Sequence, residues 1–387
     1  MNIKGLSQLR CPVCSGTLST VPFQENQIEL SRDDLGNFKE QILDEGFLKR
    51  VVEEGILLCE ACRVYYPISS YVPVMLIFRT KFHNDFIKKH IKKLQRFSGY
   101  SPPRWNPEPG ERSVQETFTT EWNTLQDDEL SFTYTKDELE LLHKKVWLKW
   151  SDNRSQGIKS ILNVGCGFGA EAEVLQKISG KAEVFGVDLN FSLLNSGALF
   201  TNKPFIHLVI ASLFHLPFSE DSFDLVYSQG VIHHTYSTHE ALKAISKFVQ
   251  KDGELFVWIY ALEDYLIVKG FRGVFSRMKW NIENILRFTI SRLPSLVRDS
   301  LLYILSVIVH PVVRGKVRHK KNWKLINTNH ALRDVLTPRF AHRHSFNETI
   351  EWFEDLGFTY NIQSPKTYKE LFGKSLWGIG IRGRRVG

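Results

Sequence analysis

Apolar positions along this chain fall into two regimes: short, nearly unbroken apolar runs, and longer stretches in which apolar residues recur every three to four positions. Ile161-Leu-Asn-Val164 belongs to the first kind, broken only by Asn163, and predicts a buried strand. A helical stretch from Ala170 to Ile178 follows, then Val184-Phe-Gly-Val-Asp188, an apolar run that ends in an acid. A fourth strand is expected to end at Ser228 and a fifth to cover Gly253 to Tyr260. A late helix is expected over Phe346 to Phe358 and a last strand over Leu376 to Arg382. Strands joined by crossover helices predict an α/β fold with a doubly wound, mostly parallel sheet, whose ligands bind at the carboxyl ends of the strands.

Upstream the pattern changes. Gly99 to Gly110 holds four prolines in twelve residues and no apolar period, which predicts a loop or hinge. Thr135 with Glu138 three residues on forms a capping box, opening a helix with Leu139, Leu142, Val146 and Trp150 on its apolar face. Phe118 and Trp122 stand at helical spacing just before it; Trp122 is expected to pack in the core or close over a ligand.

Residues 263–330 interrupt the sheet pattern. Ile282, Ile285, Leu286, Thr289, Ile290 and Leu293 have helical spacing with basic residues between them, and Leu301 to Val313 is strongly apolar. A helical cap packed on its own core, with its arginines turned to solvent, is the expected arrangement. Basic amphipathic helices also suit anionic membrane surfaces, so a peripheral membrane or anionic partner is a second expectation for residues 266–321. The charge-free apolar run within this insertion, Ser300 to Val313, has fourteen residues, too few to span a bilayer. The chain is accordingly divided at 1–80, 81–150, 151–262, 263–330 and 331–387.

Composition adds three constraints. With 43% hydrophobic and 24% charged residues among 387, the chain is ordinary for a globular protein. The N-terminus lacks the apolar core of a signal peptide, so a cytoplasmic location is expected. The net charge of +8 is concentrated: residues 266–321 hold twelve Lys/Arg (Lys269 to Lys321) against Glu283 and Asp299, a local +10.

Four of the five cysteines form two pairs, Cys11-Pro-Val-Cys14 and Cys59-Glu-Ala-Cys62. Each pair aims two thiolates at one point, and four thiolates complete a closed tetrahedral site for a structural Zn2+. The text after the second pair, Tyr65-Tyr66-Pro67 through Val72-Pro73-Val74-Met75-Leu76, resembles the zinc-ribbon activator proteins that accompany tRNA, rRNA and release-factor methyltransferases. The resemblance covers roughly residues 8–78. Tyr71 departs from it, standing where that family usually has glycine.

The second centre is the turn Gly165-Cys166-Gly167-Phe168-Gly169 between the first strand and its helix, with Asp188 nineteen residues after Gly169. Glycines there allow a close backbone approach to a ligand, and an acid at the tip of the second strand can accept both ribose hydroxyls of an adenosine group. Taken alone, these residues suit NAD equally well. Leu216-Pro217-Phe218, Asp224 to Ser228 and Gly230-Val-Ile-His233-His234 then follow, and the whole series resembles the class I (Rossmann-like) S-adenosylmethionine-dependent methyltransferases over about 113–260, resuming near 330–387.

That resemblance implies a seven-stranded sheet and methyl transfer from S-adenosyl-L-methionine (SAM) to a small-molecule acceptor, which the basic helical insertion predicts to be hydrophobic or anionic. It places Gly165, Cys166, Gly167 and Gly169 against the methionine part of the cofactor. Asp188 and Leu189 then meet the ribose and adenine, Ser212 and Leu213 the adenine edge, and Ser228 and Gln229 the methionyl side. The family usually has an aspartate where this chain has Ser212. His233, His234 and Tyr260 are the expected base candidates, while Trp122, Arg339 and His342 are expected near the acceptor. An RNA methyltransferase using the ribbon and the basic insertion is the lesser alternative, since no recognised RNA-binding module accompanies them, and a non-catalytic SAM-binding module is a third.

Overall fold

The computed structural model describes the chain except residues 31–44, 124–133, 151, 181, 263–270, 317–322, 374–377 and 387. The N-terminal part opens with α1 (Ile3–Gln8), capped by Asn2, whose side chain accepts from the Gly5 N–H. An antiparallel sheet follows in the order β1 (Ser19–Gln27), β2 (Arg50–Cys59), β3 (Val64–Ser69), β4 (Val72–Pro73). At the glycine-to-tyrosine departure, Tyr71 keeps the left-handed backbone that glycine would favour, with φ of 66°. Its hydroxyl is anchored by Glu53 and Asn26, contacts a glycine could not make.

Helix α2 (Lys81–Leu94) lays Phe86 against Ile56, Leu58 and Tyr65 of this sheet. Next come α3 (Glu111–Trp122) and α4 (Lys136–Leu142), the latter opened by the Thr135–Glu138 capping box in both directions. Its expected continuation to Trp150 does not hold. The helix widens at His143–Trp147, where Leu148 N–H reaches back to the His143 carbonyl, and Lys149 ends it in a left-handed conformation. Trp150 instead donates its indole N–H to Glu254, 2.8 Å away.

The main sheet contains β5 (Ser160–Val164), β6 (Glu183–Asp188), β7 (Ile206–Ile210), β8 (Phe223–Gln229), β9 (Val249–Ile259), β10 (Asn361–Ile362) and β11 (Ile379–Arg384), in the order β10-β11-β9-β8-β5-β6-β7. Strands β5 to β9 run parallel, and β11 closes against β9 antiparallel. Helices α5 (Ala170–Ser179) and α6 (Thr238–Ser246) are crossovers. This is the expected seven-stranded, mostly parallel α/β sheet. Leu376 and Trp377 of the expected last strand lie outside the described residues.

The two sheets share one core. A single apolar cluster runs from Leu6, Leu57 and Tyr66 to Val187, Val209 and Phe218. Edge strand β7 is covered by the N-terminal part: Met75 N–H donates to the Ile210 carbonyl at 2.7 Å. Beside it Glu183 accepts from Lys4 and from His207, at 2.7 and 2.8 Å.

The insertion forms α7 (Phe271–Ile290), α8 (Ser295–Lys316) and α9 (Leu325–Leu336), with the late helix α10 (Phe346–Asp355) and α11 (Pro365–Phe372) after it. Two expectations change here. Helix α8 has 22 residues because it runs through Arg298, Asp299 and Arg314 at either side of the charge-free stretch. Ser295–Gly315 is therefore long and apolar enough to cross a membrane by length and composition. The arginines are also not all outward. Within the insertion Arg287 points inward and pairs with Glu283, which Arg343 from beyond the insertion also meets, while large apolar side chains face out.

Candidate functional site

At the carboxyl ends of β5, β6 and β8 lies a cavity of about 960 Å3, its mouth included. Its floor is the turn after β5. Gly165, Gly167 and Gly169 all have positive φ (81°, 55° and 95°). A Cβ on Gly165 would collide with Val231, and one on Gly167 would come within 2.7 Å of the Trp122 ring, so a side chain is excluded twice over. Asp188 ties the turn to β6: one carboxylate oxygen accepts from Gly167 N–H at 2.8 Å, the other from Asn190 N–H at 3.0 Å. Burial pushes its carboxyl up, and these backbone donors pull it back.

Of the residues expected around a cofactor, Gly165, Asp188, Leu189, Leu213 and Gln229 line this cavity. Cys166 and Ser228 are buried behind it, Cys166 packing toward Gly186. Ser212 also lies beneath the wall, its hydroxyl accepting from Phe214 N–H at 3.1 Å. Trp122 lines the cavity edge-on to Phe168.

The expected base candidates separate. His234 lines the cavity, and its Nδ1 donates to the Phe340 carbonyl at 2.8 Å, which leaves Nε2 as an acceptor. Burial holds it down to about 4, so it is neutral at pH 7. His233 sits one layer back, its ring 3.9 Å from that of Tyr260. Tyr260 likewise stays outside the lining and directs its hydroxyl to Asp334 at 3.3 Å. Arg339 and His342 do not reach the cavity. His342 braces the backbone through His233 and Thr235, and Arg339 lies over the Phe340 ring.

The lining holds acids absent from the expected set: Glu108 and Glu111 at one end, Glu121 and Asp334 at the other. Glu111 accepts from Glu108 N–H at 2.9 Å and is hydrogen-bonded to Ser212; burial raises it and these bonds pull it down. Burial raises Glu121 well above the usual carboxylate range, and the charge of Asp334 adds to that. Desolvation raises Asp334 as well. With Asp188, the described lining residues include five carboxylates and neither lysine nor arginine. Helix α3 brings Glu111, Glu121 and Trp122, and is pinned to the β6 loop by Phe191 N–H donating to Thr119 at 2.9 Å. Helix α9, which runs from the insertion into the C-terminal part, brings Asp334.

Residues 162–257 match a family model described as a methyltransferase domain. The stretch from β5 to β9 is thus similar to a methyltransferase domain. Among curated relatives, the malonyl-[acyl-carrier protein] O-methyltransferase of Legionella pneumophila is 29% identical over 96 residues, 24% of this chain and 34% of that protein. An uncharacterized protein of Methanocaldococcus jannaschii is 30% identical over 130 residues, 34% of this chain and 48% of its own length. The chain thus spans less than half of either relative. A magnesium protoporphyrin IX methyltransferase of Synechocystis PCC 6803, solved with bound SAH, aligns at 13% identity and a TM-score of 0.40, covering 72% of this chain and 100% of that one.

The second centre sits in the N-terminal part. The sulfur atoms of Cys11, Cys14, Cys59 and Cys62 all lie within 4.8 Å of one another. Cys11 and Cys62 are 3.9 Å apart, Cys14 and Cys59 3.5 Å. Tetrahedral zinc with Zn–S bonds of about 2.3 Å requires sulfur separations of about 3.8 Å, so the donor set fits.

Proposed function

We propose that the chain is a SAM-dependent methyltransferase whose acceptor is a small molecule, uncharged or cationic, with a proton to lose. The observation that carries the reading is Asp188, held by Gly167 N–H at the rim of a cavity that opens beside Gly165 at the carboxyl ends of the parallel strands. Gly165 and Gly167 would face the methionine part of the cofactor, Asp188 the ribose, and Leu189 and Leu213 the adenine faces. Glu111, joined to Ser212, would accept from the adenine amino group in place of the aspartate the family usually has. When bound, SAM supplies a methyl group already activated on a sulfonium, whose leaving thioether needs no proton.

The residues then have to orient the acceptor and, for a hydroxyl or ammonium, take its proton. Glu121 and Asp334 line the far end and are raised toward the range useful to a general base. Tyr260 steadies Asp334, and His233 and His234 act by position. The five carboxylates among the described lining residues favour an uncharged or cationic acceptor over the anionic one also expected from the sequence. The four-cysteine centre would hold a structural zinc, since four protein ligands leave no open position.

The test is thermal unfolding with and without SAM. The wild type should be stabilised and Asp188→Ala should not; absence of a shift in the wild type ends the proposal. A screen with labelled SAM against amines, hydroxyls and carboxylates then tests the acceptor class.

A further inference from the structure

Between Met278 and Phe288, helix α7 turns charged residues inward and apolar ones outward. Its inward face carries Glu283 and Arg287, 8% and 6% exposed, while Ile282, Ile285 and Phe288 face outward, Ile285 at 66%. Helix α8 continues the apolar surface through Leu296, Ile304, Ile308 and Val312, with Leu296 83% exposed. These positions fall on one side of α8, opposite Leu302 and Ser306, which are buried. Soluble monomers seldom leave so much contiguous apolar surface uncovered.

We propose that α7 and α8 dock the protein on an anionic lipid bilayer, lying in the plane between headgroups and acyl chains. Helix α8 is long enough to cross a membrane, yet its inner face is fastened to α9. Asn329 donates to the Ser306 hydroxyl at 2.9 Å, His310 bonds Thr328 at 2.8 Å, and Leu302 packs with Ile290 and Leu336. A helix held along that length leaves only its outer side for lipid, the monotopic arrangement.

Charge selects the occupant. Lys279, Arg292 and Arg314 are exposed around the apolar surface, and Arg292 stacks on the Phe288 ring at 3.7 Å. A symmetric dimer would press this surface against its own copy, cation to cation. Anionic headgroups complement it, while the apolar side chains find acyl chains. An RNA backbone would meet the cations but leave the apolar residues uncovered.

The inference does not rest on methyl transfer, because vesicle flotation reads binding alone. The full chain is floated with phosphatidylcholine vesicles with and without phosphatidylglycerol, beside Ile304→Gln/Ile308→Gln, two exposed positions outside the cavity. Wild type should bind the phosphatidylglycerol vesicles at least about tenfold more tightly than the neutral ones. The double variant should lose at least about tenfold of that binding while keeping the wild-type unfolding temperature. A wild type that stays unbound overturns the proposal, as does a double variant that floats equally well. A concentration-dependent dimer with no vesicle binding would assign the face to a second copy instead. Displacement from vesicles by RNA, at equal affinity in the double variant, would assign it to a polyanion.

Discussion

Glu111 offers a sharp test of the cofactor reading, because it makes a claim about one functional group of the ligand. The carboxylate sits in the cavity wall beside Ser212, 6% exposed, with one oxygen engaged by Glu108 N–H. Adenine presents an amino donor; hypoxanthine presents a carbonyl at the same position. A hydrogen bond to a charged acceptor contributes about 1.5–3 kcal/mol, a factor of roughly 10 to 150. Hypoxanthine would lose that bond and set its own oxygen against the carboxylate. S-Adenosylhomocysteine should therefore bind the wild type at least about 100-fold more tightly than S-inosylhomocysteine.

In Glu111→Ala only the neutral Ser212 hydroxyl remains, and a neutral bond contributes about 0.5–1.5 kcal/mol. The ratio should fall to about tenfold or less. Affinity for S-adenosylhomocysteine itself should fall by less than the ratio does, since the alanine also removes the cost of burying a carboxylate. Glu111→Gln keeps an acceptor and the shape of the wall, so its ratio should lie between the two. Calorimetric titration of both ligands gives the ratio without any turnover. A ratio unchanged in Glu111→Ala refutes the assignment, and if Ser212→Ala alone abolishes the preference, the serine carries it.

Other consequences are open to measurement. Asp334→Asn should lower kcat about 100-fold or more while leaving SAM affinity within a few-fold, a split visible in steady-state kinetics and calorimetry. Because burial raises both Glu121 and Asp334, the rate should climb with pH through a limb above the ordinary carboxylate range; a limb at ordinary carboxylate pH would exclude them as the base. Metal analysis should find about one zinc per chain, and Cys59→Ser should lower the unfolding temperature of the whole protein rather than of the ribbon alone, given the shared core. Burial alone would raise Glu183, but the His207 hydrogen bond and the Lys4 ammonium hold it down to about 2 from the ordinary 4.5. Its contribution, on the order of 3 kcal/mol, is complete above pH 4.5 and lost as pH falls toward 2. Glu183→Gln should flatten that acid limb in urea titrations, and an unchanged limb would place the linkage elsewhere.

The sheet was legible because its strands are buried on both faces, which leaves nearly unbroken apolar runs such as Ile161–Val164, interrupted only by Asn163. The glycine turn and Asp188 were legible because backbone geometry and one acid at a strand tip are local features. The acids opposite them were not. Glu111 and Asp334 lie 223 positions apart on helices outside the sheet (334 − 111), and each reads in its own window as an ordinary polar helical position. Only the packing of α3 and α9 over the strand ends brings them to one cavity. The same limit hid the inversion of α7, whose periodicity gives the spacing of its apolar residues but not which side meets the protein.

Two departures from the family pattern show how such limits are overcome in the molecule itself. At Tyr71 the chain lacks the glycine suited to a left-handed turn, a conformation costing of order 1 kcal/mol or more for other residues. The tyrosine hydroxyl offsets part of that cost with bonds to Glu53 and Asn26 that reach across to β1 and β2. At Ser212 the chain lacks a carboxylate, and one arrives from α3, about 100 residues upstream, hydrogen-bonded to the serine that replaced it. On the proposed cofactor placement, the missing local residue is answered in both cases by a tertiary contact. If that account of Ser212 is right, the two positions are coupled: Ser212→Asp should bring a second carboxylate against Glu111 and weaken S-adenosylhomocysteine binding, while Ser212→Asp with Glu111→Ala should restore it. Single and double variants that simply add in the titrations would mean that the two side chains act separately, and Glu111 would then be a wall residue rather than a replacement.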